Sequence, residues 1–195
     1  MTKSPTHISI YDQALSFDDC NIITDWMETQ DHVRGKHGNG NFDPKIKDSY
    51  DVFMSFGGVN RPDIEDKVNQ LIFDALVEAT PKYAKSYPEV NLITRWEICD
   101  RYNLQKYKPK GGYHTPHAEV ASSVPDQTRR VLAWMIYLND VYDGGGTYFS
   151  NYDITIQARS GRLVIWPAYW THIHNGIVSN TETKYIATGW YEFIH

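Results

Sequence analysis

The chain has 195 residues, enough for one domain whose folding removes roughly 70% of the unfolded surface from water. Apolar residues make up 41% and charged residues 22%, while 14 Tyr and 6 Trp supply rings that pack and also hydrogen-bond, which favours a β-rich interior. A net charge of −5 without a basic block argues against a nucleic-acid partner, and no stretch approaches the ~20 apolar residues of a membrane span.

Cys20 and Cys99 stand far apart, so a disulfide scaffold is not expected and a reducing compartment is the simpler reading. Residues 1–7 lack the apolar segment of a secretory signal, and the expectation is a soluble cytoplasmic protein.

In chain order, residues 7–11 alternate as a short strand. Ser16 followed by Asp19 reads as a helix N-cap, and Ile22, Ile23, Trp26 and Met27 mark the apolar stripe of a helix ending near Gln30. Residues 31–50 are polar and carry Gly35, Gly38 and Gly40, which predicts a long, mobile surface loop with His32 and His37 solvated. Residues 51–56 suggest a strand. Pro62 opens a second helix, buried along Ile64, Val68, Leu71, Ile72, Ala75 and Leu76. Thr80-Pro81 is expected to end or kink it, with a further helical piece to about Ser86.

After Pro88 the texture changes, with no repeat or low-complexity tract. Strands are predicted at 93–98, 102–107, 114–120, 131–138, 147–149, 154–158, 162–166 and 184–193, broken by glycine-rich turns at 108–112 and 143–146. The expected plan is one α+β, mainly β domain over 1–195: helical support and variable loops in 1–100, a β core in 101–195, and helices packed on one sheet.

The chemistry gathers in the β half. In an extended strand His117 and Glu119 emerge on one side, about 7 Å apart along the backbone, as a pincer for a divalent metal. His172 and His174 offer a second imidazole, and a period of two cannot separate them. Two His and one carboxylate with open positions describe the facial site of non-haem Fe(II) oxygenases. Period two also puts Lys184, Ile186, Thr188 and Trp190 on one face. A buried ammonium is costly unless paired, so Lys184 either snorkels at a rim or meets an anion inside, to which Tyr137 could donate as well. His114 and His195 read as ordinary surface, supporting or core histidines, and Trp134, Trp166 and Trp170 as packing residues.

Tyr107-Lys-Pro-Lys-Gly-Gly-Tyr113, His117-x-Glu119, Tyr137-Leu-Asn139, Gly144-Gly-Gly-Thr-Tyr-Phe149, Gly161-Arg-Leu-Val-Ile-Trp166 and His174 followed by Lys184 and Trp190 together resemble one family. It is the prolyl 4-hydroxylase-like branch of the Fe(II)/2-oxoglutarate dioxygenases, and the likeness covers roughly residues 102–193. The resemblance implies a double-stranded β-helix, or jelly roll, with iron at one mouth. It implies His117, Glu119 and His174 as iron ligands, His174 being preferred over His172 because the family's distal His precedes the basic residue by ten positions. Lys184 would pair with the distal carboxylate of 2-oxoglutarate, helped by Tyr137, Tyr107 and Thr188, and Trp190 and Phe149 would pack beside the site.

The implied cofactors are Fe(II), 2-oxoglutarate as cosubstrate and O₂, with ascorbate as an optional reductant. Hydroxylation of an unactivated C–H bond would release succinate and CO₂. The implied substrate is a prolyl residue of a peptide or protein, a small molecule being the other possibility, and residues 35–41 and 120–130 would form lids.

Two departures stand out: Glu119 replaces the commoner Asp, lengthening the arm by one methylene, and Gly146 replaces an acidic residue. A carboxylate at 119 argues against the halogenating branch, whose third ligand position is vacated for chloride. Competing readings are a non-catalytic metal-binding jelly roll acting as a sensor or structural module, and a nucleic-acid dealkylase, which the acidic balance disfavours.

Overall fold

A computed structural model describes residues 6–38, 40–58, 61–121 and 123–194. The first five residues of the segment read for a leader, and His195, lie outside the described residues.

Helix α1, Phe17–Glu28, starts where expected because Ser16 and Asp19 form a capping box: Ser16 Oγ accepts from the Asp19 N–H at 3.1 Å, and Asp19 Oδ2 accepts from the Ser16 N–H at 3.2 Å. It buries Cys20, Ile23, Trp26 and Met27. Helix α2, Asp63–Ser86, runs through Pro81 instead of ending there. The Val77 carbonyl that loses its partner sits under an exposed side chain, where water can replace the bond, while Val68, Ile72, Ala75, Leu76, Ala79 and Tyr83 keep the opposite face buried across the proline. Ile64, expected in that face, is exposed.

The strands are β1 (Ser9–Tyr11), β2 (Val33–Arg34), β3 (Tyr50–Ser55), β4 (Trp96–Tyr107), β5 (Arg130–Tyr137), β6 (Thr147–Phe149), β7 (Ile154–Ile156), β8 (Leu163–Pro167), β9 (His174–Gly176) and β10 (Lys184–Phe193). A four-residue helix, α3 (Pro125–Thr128), precedes β5. One antiparallel sheet has the order β1-β8-β5-β10-β4-β3-β2, and a second has the order β7-β6-β9.

Two predicted strands, 93–98 and 102–107, are one twelve-residue strand, β4. The predicted strand at 114–120 does not form: Tyr113 and His117 make only isolated bridges, to Lys47 and His174. Pro116 lacks the N–H that a ladder through this segment needs.

Both faces of the larger sheet are buried, which is why β5 reads as an unbroken apolar run. Trp134, Ile136, Tyr102, Leu104, Ala187 and Tyr191 share a core with residues of α1 and α2. Met135, Tyr137, Tyr107, Val164, Trp166 and Ile186 share another with Phe149 and Ile156 of the smaller sheet. The architecture is mainly β, with the helices covering one sheet and a cavity opening between the two.

Candidate metal centre

His117 and His174 are brought together by the backbone. The His117 N–H donates to the His174 carbonyl at 2.9 Å and the reverse bond is 3.0 Å, which sets the imidazole centroids 4.4 Å apart. Each ring then donates its Nδ1–H to a carbonyl, His117 to Thr115 at 3.0 Å and His174 to His172 at 2.9 Å. That fixes the tautomer and leaves the Nε2 lone pairs facing the cavity.

Glu119 Oε1 lies 3.2 Å from His174 Nε2 and 3.9 Å from His117 Nε2, and the three candidate ligand atoms all fall within 4.8 Å of one another. The pincer of His117 and Glu119 thus shares one side without a regular strand to carry it. Its other oxygen, Oε2, accepts the indole N–H of Trp190 at 2.8 Å. Arg130 adds a bond from Nη1 to the Glu119 carbonyl at 3.0 Å, and its guanidinium lies 3.6 Å from the Trp190 ring centre.

Burial alone would raise the Glu119 carboxyl, but the His174 and His117 imidazoles and the Arg130 guanidinium hold it well below the usual carboxylate range. Burial, reinforced by His174, pushes His117 down to about 4, so it is neutral at pH 7. The neutral His117 imidazole, the His174 imidazole and the ionised Glu119 carboxylate, each oriented by a further hydrogen bond, fit a divalent cation that keeps open positions.

His172 is separated from His174 by hydrogen bonding. It sits in a short 3₁₀ turn, Trp170–His172, where Nε2–H donates to the Thr6 carbonyl at 2.7 Å and Nδ1 accepts from Thr171 Oγ1 at 2.9 Å. Both nitrogens are committed. His114 is not in the metal-ligating cluster, whereas His37, read from the sequence as solvated, is half-buried and lines the cavity mouth.

A cavity of about 250 Å³ runs from these groups to Lys184. Lys184 is 5% exposed, and its ammonium lies 4.7 Å from the Tyr107 ring centre with no carboxylate within ion-pair distance among the described residues. Burial lowers it to about 8. The Tyr107 hydroxyl donates to Gln105 Oε1 at 2.8 Å, and Thr188 Oγ1 donates to the Trp134 carbonyl at 2.9 Å. Tyr137 lies behind the wall: its hydroxyl donates to the Ile156 carbonyl at 3.2 Å and bonds Thr147 Oγ1 at 2.7 Å, so Thr147 faces the cavity there. Phe149 and Trp166 pack around the His174 ring.

Sequence reasoning missed Arg130, Tyr113 stacked on His117 at 3.7 Å, and the polar wall residues Lys47 and Gln105. Gln105 was within reach of a period-two argument from Tyr107, since both face the cavity from β4; Lys47, in an irregular loop, carried no such signal.

Two imidazoles and a carboxylate at one mouth of a jelly roll are a donor set that could hold one divalent metal ion. The family model described as the 2OG-Fe(II) oxygenase superfamily matches residues 102–192. The match takes in the β half of the chain, from β4 to β10, and this half is similar to that superfamily. Procollagen-lysine,2-oxoglutarate 5-dioxygenase 1 of Gallus gallus is 30% identical over 172 residues, which is 83% of this chain and 21% of that protein. The Bos taurus protein of the same name is 30% identical over 152 residues, 73% of this chain and 19% of its own length. The chain therefore spans about a fifth of the length of these relatives.

Among solved structures, a prolyl hydroxylase from Trichoplax adhaerens in complex with a hypoxia inducible factor oxygen degradation domain peptide fragment superposes with a TM-score of 0.74 at 14% identity, covering 96% of this chain and 84% of that one. The viral collagen prolyl hydroxylase of Paramecium Bursaria Chlorella virus-1 superposes at 0.68 with 17% identity, covering 96% and 97%.

Proposed function

We propose that this chain is an Fe(II)- and 2-oxoglutarate-dependent dioxygenase that hydroxylates a prolyl residue in a peptide or protein. The observation that carries the reading is Lys184: a buried ammonium with no ion-pair carboxylate among the described residues, at the far end of a cavity headed by His117, Glu119 and His174. A buried charge demands an opposite one. A dicarboxylic keto acid supplies it while its other end reaches the metal.

In this reading His117 Nε2, His174 Nε2 and Glu119 Oε1 hold Fe(II), Trp190 and Arg130 keep the carboxylate in place, and Lys184 pairs with the distal carboxylate. Thr188 and Tyr107 shape that pocket, and Tyr137 acts through Thr147. When bound, the iron with 2-oxoglutarate and O₂ supplies oxidative decarboxylation to succinate and CO₂ coupled to hydroxylation, with ascorbate as an optional reductant. The protein's own residues bind and orient the cosubstrate and exclude water.

A lysyl substrate is the second reading, favoured by the names of the curated relatives. The cavity wall weighs against it. Apart from Lys47, which pairs with Asp51, and Lys184, which pairs with the keto acid, Lys36 and Arg130 line the space, so a lysyl ammonium meets like charge there and a prolyl ring brings none. Similarity to that superfamily weighs against a non-catalytic sensor or structural module. No helix among the described residues is long and apolar enough to cross a membrane. The free thiols of Cys20 and Cys99 support a reducing, cytoplasmic location.

The test is anaerobic loading with Fe(II), then exposure to O₂ with 2-oxoglutarate and a peptide library rich in proline and lysine. The expected result is oxygen-dependent succinate and a one-oxygen mass gain on a prolyl peptide. Absence of both succinate and keto-acid binding would sink the reading.

A further inference from the structure

Behind Lys184 lies a set of buried polar side chains that the proposed reaction does not use. Lys47 and Gln105 are each 5% exposed, Asp51 2% and Ser49 0%. The Asp51 carboxylate accepts three bonds: from Lys47 Nζ at 2.7 Å and Gln105 Nε2 at 3.2 Å on Oδ2, and from Ser49 Oγ at 2.7 Å on Oδ1. At its other end the Gln105 amide accepts the Tyr107 hydroxyl, and the Tyr107 ring lies beneath the Lys184 ammonium. Sheet register aligns the whole series. Asp51 of β3 is directly opposite Gln105 of β4, and Tyr107 of β4 is directly opposite Lys184 of β10.

A buried ion pair such as Lys47 with Asp51 stabilises a fold little more than an apolar pair of the same shape, because desolvation offsets the attraction. What it supplies here is direction. The Asp51 carboxylate accepts from Lys47, Ser49 and Gln105, so the NH₂ end of Gln105 faces it and the carbonyl end faces Tyr107. The Tyr107 proton is thereby committed to Gln105 and the ring is pinned at its tip. Its face is left as the platform for Lys184, whose flexible four-carbon stem has no anionic partner among the described residues to hold it.

We propose that Asp51 is a positioning residue for the cosubstrate anion: through Gln105 and Tyr107 it fixes the Lys184 ammonium at the end of the cavity. This rests on the 2-oxoglutarate reading. It also ties the segment before β3 to the site, because Lys47 both pairs with Asp51 and lines the cavity, and Gly35 packs so closely on Ser49 Oγ that a Cβ would overlap it.

The experiment is calorimetric titration of Mn(II)-loaded protein with 2-oxoglutarate, with Mn(II) affinity measured on the same samples, for wild type, Asp51→Asn, Gln105→Leu, Lys184→Ala and the double variant of Asp51→Asn with Lys184→Ala. Asp51→Asn and Gln105→Leu are expected to weaken 2-oxoglutarate roughly tenfold, the scale of a desolvated cation–π contact. Mn(II) affinity is expected to stay within about twofold. In the Lys184→Ala background Asp51→Asn adds no further loss. Additive losses in the double variant, or an equal loss of Mn(II) binding, would overturn the relay, since a merely structural role predicts both. Wild type that binds the keto acid alongside unperturbed Asp51→Asn and Gln105→Leu variants overturns the relay alone. Wild type that binds none overturns the functional reading and the relay with it. Should Asp51→Asn fail to fold, Gln105→Leu, which leaves the Lys47–Asp51 pair intact, decides by the same comparison in the Lys184→Ala background.

Discussion

Lys184 concentrates the physics of the site in one residue. Its folded-state value of about 8 lies below the ordinary 10.5, so the fold binds this proton less tightly than the unfolded chain does. The sign follows: between those two values the unfolded state carries the extra proton, and this group's contribution to stability rises with pH. A bound dicarboxylate reverses the preference. Calorimetry at about pH 9 in buffers of different ionisation enthalpy should therefore show proton uptake on 2-oxoglutarate binding, with affinity falling as pH rises through 8. An affinity flat across that range would refute it. Lys184→Met should weaken keto-acid binding roughly 100-fold while leaving the fold as stable or about 1–3 kcal/mol more so, read by denaturant titration, because an apolar side chain replaces a buried charge. For the two neighbouring histidines the contrast is sharper. His174→Ala should eliminate metal binding, whereas His172→Ala should spare it but cost about 1–3 kcal/mol, since Thr6 and Thr171 lose their buried partner. Metal titration and thermal melts distinguish the two, and the reverse pattern would overturn the ligand set.

At the scale of elements, β10 spans the cavity. Its inward residues Lys184, Ile186, Thr188 and Trp190 all line it, so one strand carries the anion partner at one end and the clamp on Glu119 at the other. Trp190→Phe keeps the ring but removes the N–H, and should lower metal affinity by roughly 10-fold to 100-fold with little change in 2-oxoglutarate affinity once metal is saturating. That alternation was readable from the sequence, as were the capping box of α1 and the bounds of β6 and β10. The course of α2 was not. Pro81 signals a break in any local reading, yet the buried face on both sides of it outweighs one lost bond on the wet side. Pro81→Ala should accordingly raise stability by about 1–2 kcal/mol, measured by denaturant unfolding.

For the molecule as a whole, the large sheet buries both faces, one against the helices and one against the smaller sheet, and the cavity opens on the second side. A chain of net charge −5 thus encloses a pocket lined by four cationic side chains and one carboxylate. Metal and cosubstrate acting on the folded state alone should stabilise it in order: Mn(II) raises the melting temperature, 2-oxoglutarate raises it further only after the metal, and a chelator reverses both. Local pattern determined that Lys184 and Trp190 share a face and where most strands of the C-terminal half lie, whereas His117 and Glu119 converge without the strand expected to carry them. The resemblance carried by those motifs pointed to the superfamily. Only the tertiary structure decided which donors were already spent, because the groups that spend them are remote in sequence. Thr6 occupies His172 and leaves His174 free, Ile156 and Thr147 occupy the Tyr137 hydroxyl, and Asp51 reaches Gln105 from a segment that reads as loop and strand edge. Periodicity assigns a side chain to a face; hydrogen-bond saturation, which depends on what lies opposite, assigns it a role.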